Sequence, residues 1–168
     1  PDQFIDRTHN RPATFFNEDI VAHVTMADPF CTNLSGILSD ISEKNIHSGK
    51  QLHRGGTYLA MEGPAFSTKA ESNLYRQWGC SIIGMTNHTE ARLAREAEIA
   101  YASLSMVTDY DCWNQTEEEV SVEMVIENLK INTEIANKIV YETAKVIDIS
   151  RPISKAHQSL KDGLMTSK

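Results

Sequence analysis

The sequence predicts an α/β fold, and three observations carry that expectation. Apolar strand-like segments alternate with amphipathic helical ones. A strand, helix, strand, helix, strand succession fills residues 57 to 108, the pattern of strands joined by crossover helices. A long helical segment with an apolar stripe then covers residues 121 to 146.

Residues 1–17 mix Pro, Asn, Thr and Arg with three phenylalanines, which predicts an ordered loop held by Phe4, Phe15 and Phe16. Residues 19–26 read as a short strand. After Pro29, Leu34, Ile37, Leu38 and Ile41 recur at helical spacing, with Thr32 or Asn33 available as N-cap and an end near Asn45. The polar, Gly-containing stretch 46–56 is a turn leading into a strand over 57–61. Ser67 or Thr68 caps a helix in which Ala70, Leu74 and Trp78 recur, and Gly79 stops it. Residues 80–85 form a buried-strand candidate. Residues 88–98 read as a surface helix with Ala91 and Ala94 inward and its charges on the other face. Residues 100–108 alternate as a strand, with Tyr101, Ser103, Ser105 and Val107 on one side. In the long helix the stripe comprises Val122, Val125, Ile126, Leu129, Ile139 and Val140, and Glu117, Glu118 and Glu119 suit its positive dipole end. Pro152 interrupts the chain before a last short helix over 154–165.

A chain of 168 residues fits a single domain able to bury a sizeable core. The net charge of −7 and isoelectric point near 5.3, with basic residues scattered singly, argue against a nucleic-acid partner. Cys31, Cys80 and Cys112 are odd in number and lie in no metal-ligand spacing, which points to a reducing cytoplasm. No apolar run approaches the roughly 20 residues that cross a bilayer, so no membrane partner is expected. The opening Pro1–Thr8 lacks an initiator Met and reads like a loop interior.

Candidate functional groups gather where predicted strands give way to loops, the usual ligand-binding edge of α/β sheets. They are Phe66 and Ser67, then Met85 and Thr86, then Thr108, Asp109 and Asp111. On spacing alone, Asp109 and Asp111 are turn residues at a strand end, Phe66 and Met85 are core residues, and His23 is structural. A hydroxyl and a backbone N–H at Thr86, between a strand and a helix, form an anion contact. There is no Gly-rich phosphate loop and no nucleophile elbow.

The strings MEGPAFSTKAES (61–72), IIGMTNHTEARLAREAEIAYAS (82–103) and MVTDYDCW (106–113) closely resemble the methylthioadenosine phosphorylases, a branch of the trimeric purine nucleoside phosphorylase family. PDQFIDRT (1–8) and MADPFC (26–31) resemble them too, and the likeness runs from Pro1 to about Val140. The resemblance implies a three-layer α/β/α fold with a mixed central sheet. It also implies phosphorolysis: inorganic phosphate splits the N-glycosidic bond to give a purine and a sugar 1-phosphate, with phosphate as co-substrate and no metal or organic cofactor. As that bond lengthens, the ribose becomes cationic and the purine anionic, so a catalyst must protonate or hydrogen-bond the base and hold phosphate beneath the sugar. A partly desolvated carboxyl suits the first task, because burial raises its pKa.

Residue by residue, the resemblance places Asp109 at the purine N7 and Asp111 near the C6 substituent as catalytic groups. Phe66, Ser67 and Thr108 would line the base, Met85 the ribose and Thr86 the phosphate. His23 would reach a neighbouring subunit's 5′-group in a homotrimer. The oxopurine branch carries Glu in place of Ser67 and Asn in place of Asp109; carboxyl acceptors match an amino group, so this pair favours adenine. Asn87 after Thr86 keeps a methylthioinosine substrate open.

Family members extend further at the N-terminus, and that part supplies most of the phosphate contacts. The chain 1–168 is therefore expected to be the C-terminal portion of one domain, completed by an N-terminal portion, a separate chain being the favoured form. A methylthioinosine or general purine nucleoside phosphorylase, a non-catalytic regulatory subunit of the same fold and a hydrolase are the competing readings.

Overall fold

A computed structural model describes residues 1–17, 19–46, 49–114, 122–148, 154–161 and 163–165. Its elements are β1 (Gln3–Arg7), α1 (Thr32–Asn45), β2 (Thr57–Met61), α2 (Lys69–Gln77), β3 (Cys80–Gly84), α3 (Asn87–Glu96), α4 (Val122–Val146) and a 3₁₀ turn (Lys155–Gln158). The strands pair in the order β1-β2-β3, both pairs parallel, with Ile5 opposite Leu59 and Ala60 opposite Gly84. The α/β class thus holds. The sheet expected to be mixed shows only parallel strands among the described residues, and an antiparallel bridge, Ala22 to Leu164, lies outside it.

Central β2 forms the core because it has a strand on each side: Tyr58, Leu59 and Ala60 are buried. Phe4 stacks on Phe30 at 4.6 Å and meets the edges of Tyr58 and His88. The predicted loop over 1–17 is therefore corrected, since 3–7 is a strand. Gln3-Phe4-Ile5-Asp6-Arg7 shows no period-two alternation, and the ladder with β2 decides its conformation. Phe15 and Phe16 pack on each other at 4.5 Å, and Phe15 is exposed.

α1 keeps its predicted span, but its cap is Cys31, whose sulfur accepts from the Leu34 N–H, rather than Thr32 or Asn33. Cys31 is the last extended residue, and Thr32 is already helical. α2 starts on Thr68 with a full capping box, Thr68 and Glu71 each satisfying the other's backbone N–H. Its inward face is not the predicted one. Ala70, Leu74 and Trp78 are exposed, whereas Ser72 and Tyr75 are buried. A buried serine is stable there because a carboxylate partner waits for it, as described below.

Among the described residues, two expected strands do not form and one expected helix is shorter than expected. Residues 19–26 make only a short pairing with the C-terminal segment, His23 N–H to the Gly163 carbonyl at 2.7 Å and Met165 N–H to the Val21 carbonyl at 3.2 Å. Residues 100–108 alternate like a strand yet join no ladder among the described residues. Side chains take several of their carbonyls: the Asn128 and Asn132 amides of α4 donate to Thr108 and Val107 at 3.1 and 3.2 Å, while the Cys31 N–H binds the Tyr101 carbonyl. The final helix shortens to the 3₁₀ turn capped by Ser154.

α4 packs on α1 through a face containing Ile139 and Thr143, both buried. Of the four stripe residues whose side chains are described, Ile126, Leu129 and Val140 are exposed and Ile139 is buried. Of the remaining expectations for this region, Glu117, Glu118, Glu119, Ser121, Pro152 and the side chains of Val122 and Val125 lie outside the described residues.

Candidate functional site

β2 and β3 run parallel and end together, so the segments that follow them share one edge of the sheet. β2 leads into 62–68 and β3 into Met85 and Thr86. Gly63 has φ +71°, which favours glycine, and a Cβ there would stand 2.8 Å from the sulfur of the flexible Met85 side chain. The Gly63–Pro64 peptide is cis. Met85 thus lies against the start of the loop that carries Phe66 and Ser67. Thr86 caps α3 with no side-chain cap bond, leaving its exposed hydroxyl unused by the helix. Beneath it, buried Tyr58 packs its ring on Gly84; burial pushes the phenol up, partly offset by hydrogen bonds from Thr86 and Asn87.

The 108–114 loop joins this edge through α2. Ser72 donates to Asp111 Oδ2 at 2.5 Å, the Cys112 N–H donates to Asp111 Oδ1 at 2.9 Å, and the Cys112 thiol donates to the Ser67 carbonyl at 3.4 Å. Arg76 of α2 lies 3.7 Å over the Trp113 ring. Ser67 and Asp111 are therefore held as neighbours. Ser67 also donates weakly to the Met61 sulfur at 3.7 Å.

Asp109 differs from expectation. It is exposed rather than partly desolvated, and its described partner is the adjacent Thr108 hydroxyl at 2.5 Å. Phe66 is 83% exposed. Both side chains are thus open to solvent. His23 is also exposed, and its described backbone bond runs to Gly163 rather than to the other candidates.

Sequence reasoning missed the groups that fix these loops. Arg11 donates from Nη2 to the Glu62 carbonyl at 2.7 Å, from Nη1 to the Met85 carbonyl at 2.9 Å and from Nε to Glu62 Oε1 at 3.2 Å. Glu62 Oε2 accepts from the His9 N–H at 2.6 Å and more weakly from Asn10. These amides first, with Arg11 adding its charge, hold the Glu62 carboxyl below the usual carboxylate range. On α3, expected to keep its charges in solvent, Arg95 and Glu96 are buried. Arg95 donates to the Thr25 and Asp28 carbonyls at 2.9 and 2.5 Å, and Glu96 accepts from Thr14 and the Phe15 N–H, both at 2.9 Å. These bonds pin the 11–28 loop that bears His23. Nothing in the spacing of these charged residues distinguishes them from surface ones, so no local signal marks them.

Among the described residues no cluster of three His, Cys, Asp or Glu could hold a metal ion. No described helix is long and apolar enough to cross a membrane.

Residues 1–145 match the family described as the Phosphorylase superfamily. The chain is 67% identical over 168 residues to the S-methyl-5′-thioadenosine phosphorylase of Prochlorococcus marinus, covering all of this chain and 54% of that protein. The enzyme of the same name from Thermosynechococcus vestitus is 57% identical over 167 residues, 99% of this chain and 57% of that one. The crystal structure of a methylthioadenosine phosphorylase from an Antarctic soil metagenomic library superposes with a TM-score of 0.92 at 46% identity, covering 99% of this chain and 58% of that one. A Schistosoma mansoni methylthioadenosine phosphorylase in complex with adenine gives 0.83 at 30% identity, with 98% and 65% coverage. The likeness thus continues past Val140, where the motifs fade, to the chain's C-terminal end. The chain spans about half the length of the curated relatives it matches.

Proposed function

The chain belongs to the Phosphorylase superfamily, and we propose that within it the protein contributes the base- and ribose-binding part of a 5′-methylthioadenosine phosphorylase. The observation that carries this reading is the convergence of three segments at one sheet edge: the 63–67 loop, Met85–Thr86, and Asp111 anchored by Ser72. The names of the relatives support the substrate.

In the proposed reaction a phosphate oxygen forms a bond to the ribose C1′ as the bond from C1′ to the purine nitrogen breaks. The bonding electrons leave with the purine, which takes a proton at N7 from Asp109. Phe66 offers its exposed ring as a stacking wall, Ser67 and Thr108 line the base, and Asp111 faces the 6-amino group. Met85 lies against the ribose, Thr86 binds phosphate, and His23 reaches toward a neighbouring subunit's 5′-methylthio group. Phosphate is the co-substrate, and the chemistry requires no cofactor, since protonating the leaving base and stabilising the cationic sugar suffice.

The chain spans about half the length of its curated relatives, and the region those relatives have in addition is what completes the phosphate site and covers Asp109. The strand-like but unladdered 100–108 segment, with Met106 and Val107 exposed, supports such a docking edge. The complete unit assembles as a homotrimer. The odd cysteine count, in no metal-ligand spacing, supports a reducing, cytoplasmic setting.

The test is phosphate-dependent release of adenine from methylthioadenosine, assayed for the chain alone and after addition of the N-terminal portion of a close relative. Negligible turnover alone and restored turnover together are expected. Release that continues without phosphate would identify a hydrolase instead, and inactivity of the reconstituted pair would refute the enzyme reading.

A further inference from the structure

We propose that Arg11 is a positioning residue that sets the separation between the base-binding loop and the ribose- and phosphate-binding strand end. This rests on the phosphorolysis reading above and names a determinant of that site.

The β2–β3 ladder ends at Ala60 and Gly84. Beyond it the chains diverge, Glu62 leading to the base loop and Met85 to Thr86. Their two carbonyls lie past the last rung, and one guanidinium binds both, Glu62 O at 2.7 Å and Met85 O at 2.9 Å. The guanidinium fork is planar and its donors are fixed relative to one another, so it holds the carbonyls at a set distance as a flexible ammonium could not. The third donor engages Glu62 Oε1 at 3.2 Å, while Oε2 of the same carboxylate gathers the His9 and Asn10 amides just before Arg11. The clamp is thereby held at both ends. Gly63, at φ +71°, follows Glu62 directly, and the Met85 side chain lies against it.

A nucleoside bridges the two segments, whereas a free purine uses only one. Affinity for the bridging ligand therefore depends on the fixed separation, because a rigid relation between two subsites converts the second contact into an intramolecular one. Affinity for the free purine does not.

The experiment compares unaltered protein with Arg11→Met and Arg11→Lys, using the full chain together with any polypeptide that copurifies. Calorimetric Kd values for adenine and methylthioadenosine are measured alongside ligand-free amide hydrogen exchange. For Arg11→Met, methylthioadenosine affinity is expected to fall by about 10- to 100-fold and adenine affinity by less than about 3-fold, with Arg11→Lys intermediate. Exchange should quicken in both 63–67 and 85–87 while β2 stays protected. Equal losses for both ligands, or quickening spread over the whole chain, would reduce Arg11 to a general stabiliser and overturn the inference alone. Failure of the unaltered protein to bind either ligand would overturn the phosphorolysis reading and this inference with it.

Discussion

The Ser72 hydroxyl donates to Asp111 Oδ2 at 2.5 Å, tying the buried face of α2 to the loop that follows residue 108. A serine at an inward helix position is tolerable only with such a partner, and the partner is charged, which strengthens the bond.

Ser72→Ala is accordingly expected to lower the unfolding free energy by about 1.5–3 kcal/mol, read by urea denaturation. The loop should loosen with it, and the Trp113 environment provides a fluorescence readout because Arg76 of α2 lies over that ring. A variant as stable as the parent would show that Asp111 is equally well solvated by water.

Asp109→Asn tests which base the site reads. An amide donates to a carbonyl at C6 but supplies no proton to N7, so turnover of adenosine-type nucleosides should fall by about 10²- to 10⁴-fold and that of inosine-type nucleosides by less. The measurement is paired phosphorolysis with the completed enzyme. Equal losses on both substrates would remove Asp109 from base recognition.

What the sequence made visible was the part governed by local rules. Helical spacing located α1 through Leu34, Ile37, Leu38 and Ile41, and Ser67 or Thr68 as cap with Gly79 as stop located α2. The site segments were legible as long strings of unusual residues at strand ends. Long-range bonds were not legible. Ser72 turns inward because of a carboxylate 39 residues away, and Arg11 matters because of carbonyls 51 and 74 residues on. Strand β1 had no alternation to betray it and needed β2 to exist. The reverse failure occurred at 100–108, where alternation was clear but a strand also needs a neighbour, and none of the described residues supplies one.

His88 supplies a pH dependence. Burial lowers its pKa; Asp6 at 3.1 Å opposes this, while Arg92 reinforces it. The Phe4 ring closes another side. With the folded value below the ordinary 6.5, the unfolded chain takes up the proton first as pH falls. His88 therefore contributes stability above that value and loses it as acid is added. Asp6 acts in a separate, lower window: burial alone would raise it, but hydrogen bonds from Thr8 and the His88 and Arg92 charges outweigh that, so its contribution is lost as pH falls below its ordinary 3.8. His88→Gln is expected to flatten the stability profile between roughly pH 7.5 and 5 and to weaken without abolishing the deeper acid limb, which Thr8 and Arg92 still support. Urea titrations at stepped pH measure both, and an unchanged upper slope would assign it to another group.

The orientation of α4 can be read from two adjacent residues. Ile139 is 1% exposed, on the face that packs on α1, while Val140, one step of 100° around the helix, is 57% exposed. Both belong to the stripe the sequence suggests, so periodicity alone does not say which of them faces the core. Truncating a buried isoleucine removes its contacts and leaves a cavity that the neighbouring helix fills only in part. Ile139→Ala should therefore cost about 2–5 kcal/mol, whereas Val140→Ala in the isolated chain should stay within about 0.5 kcal/mol. If Val140→Ala proved the costlier substitution in urea melts, α4 would be rotated from the orientation described, and the Asn128 and Asn132 amides could no longer reach residues 107 and 108.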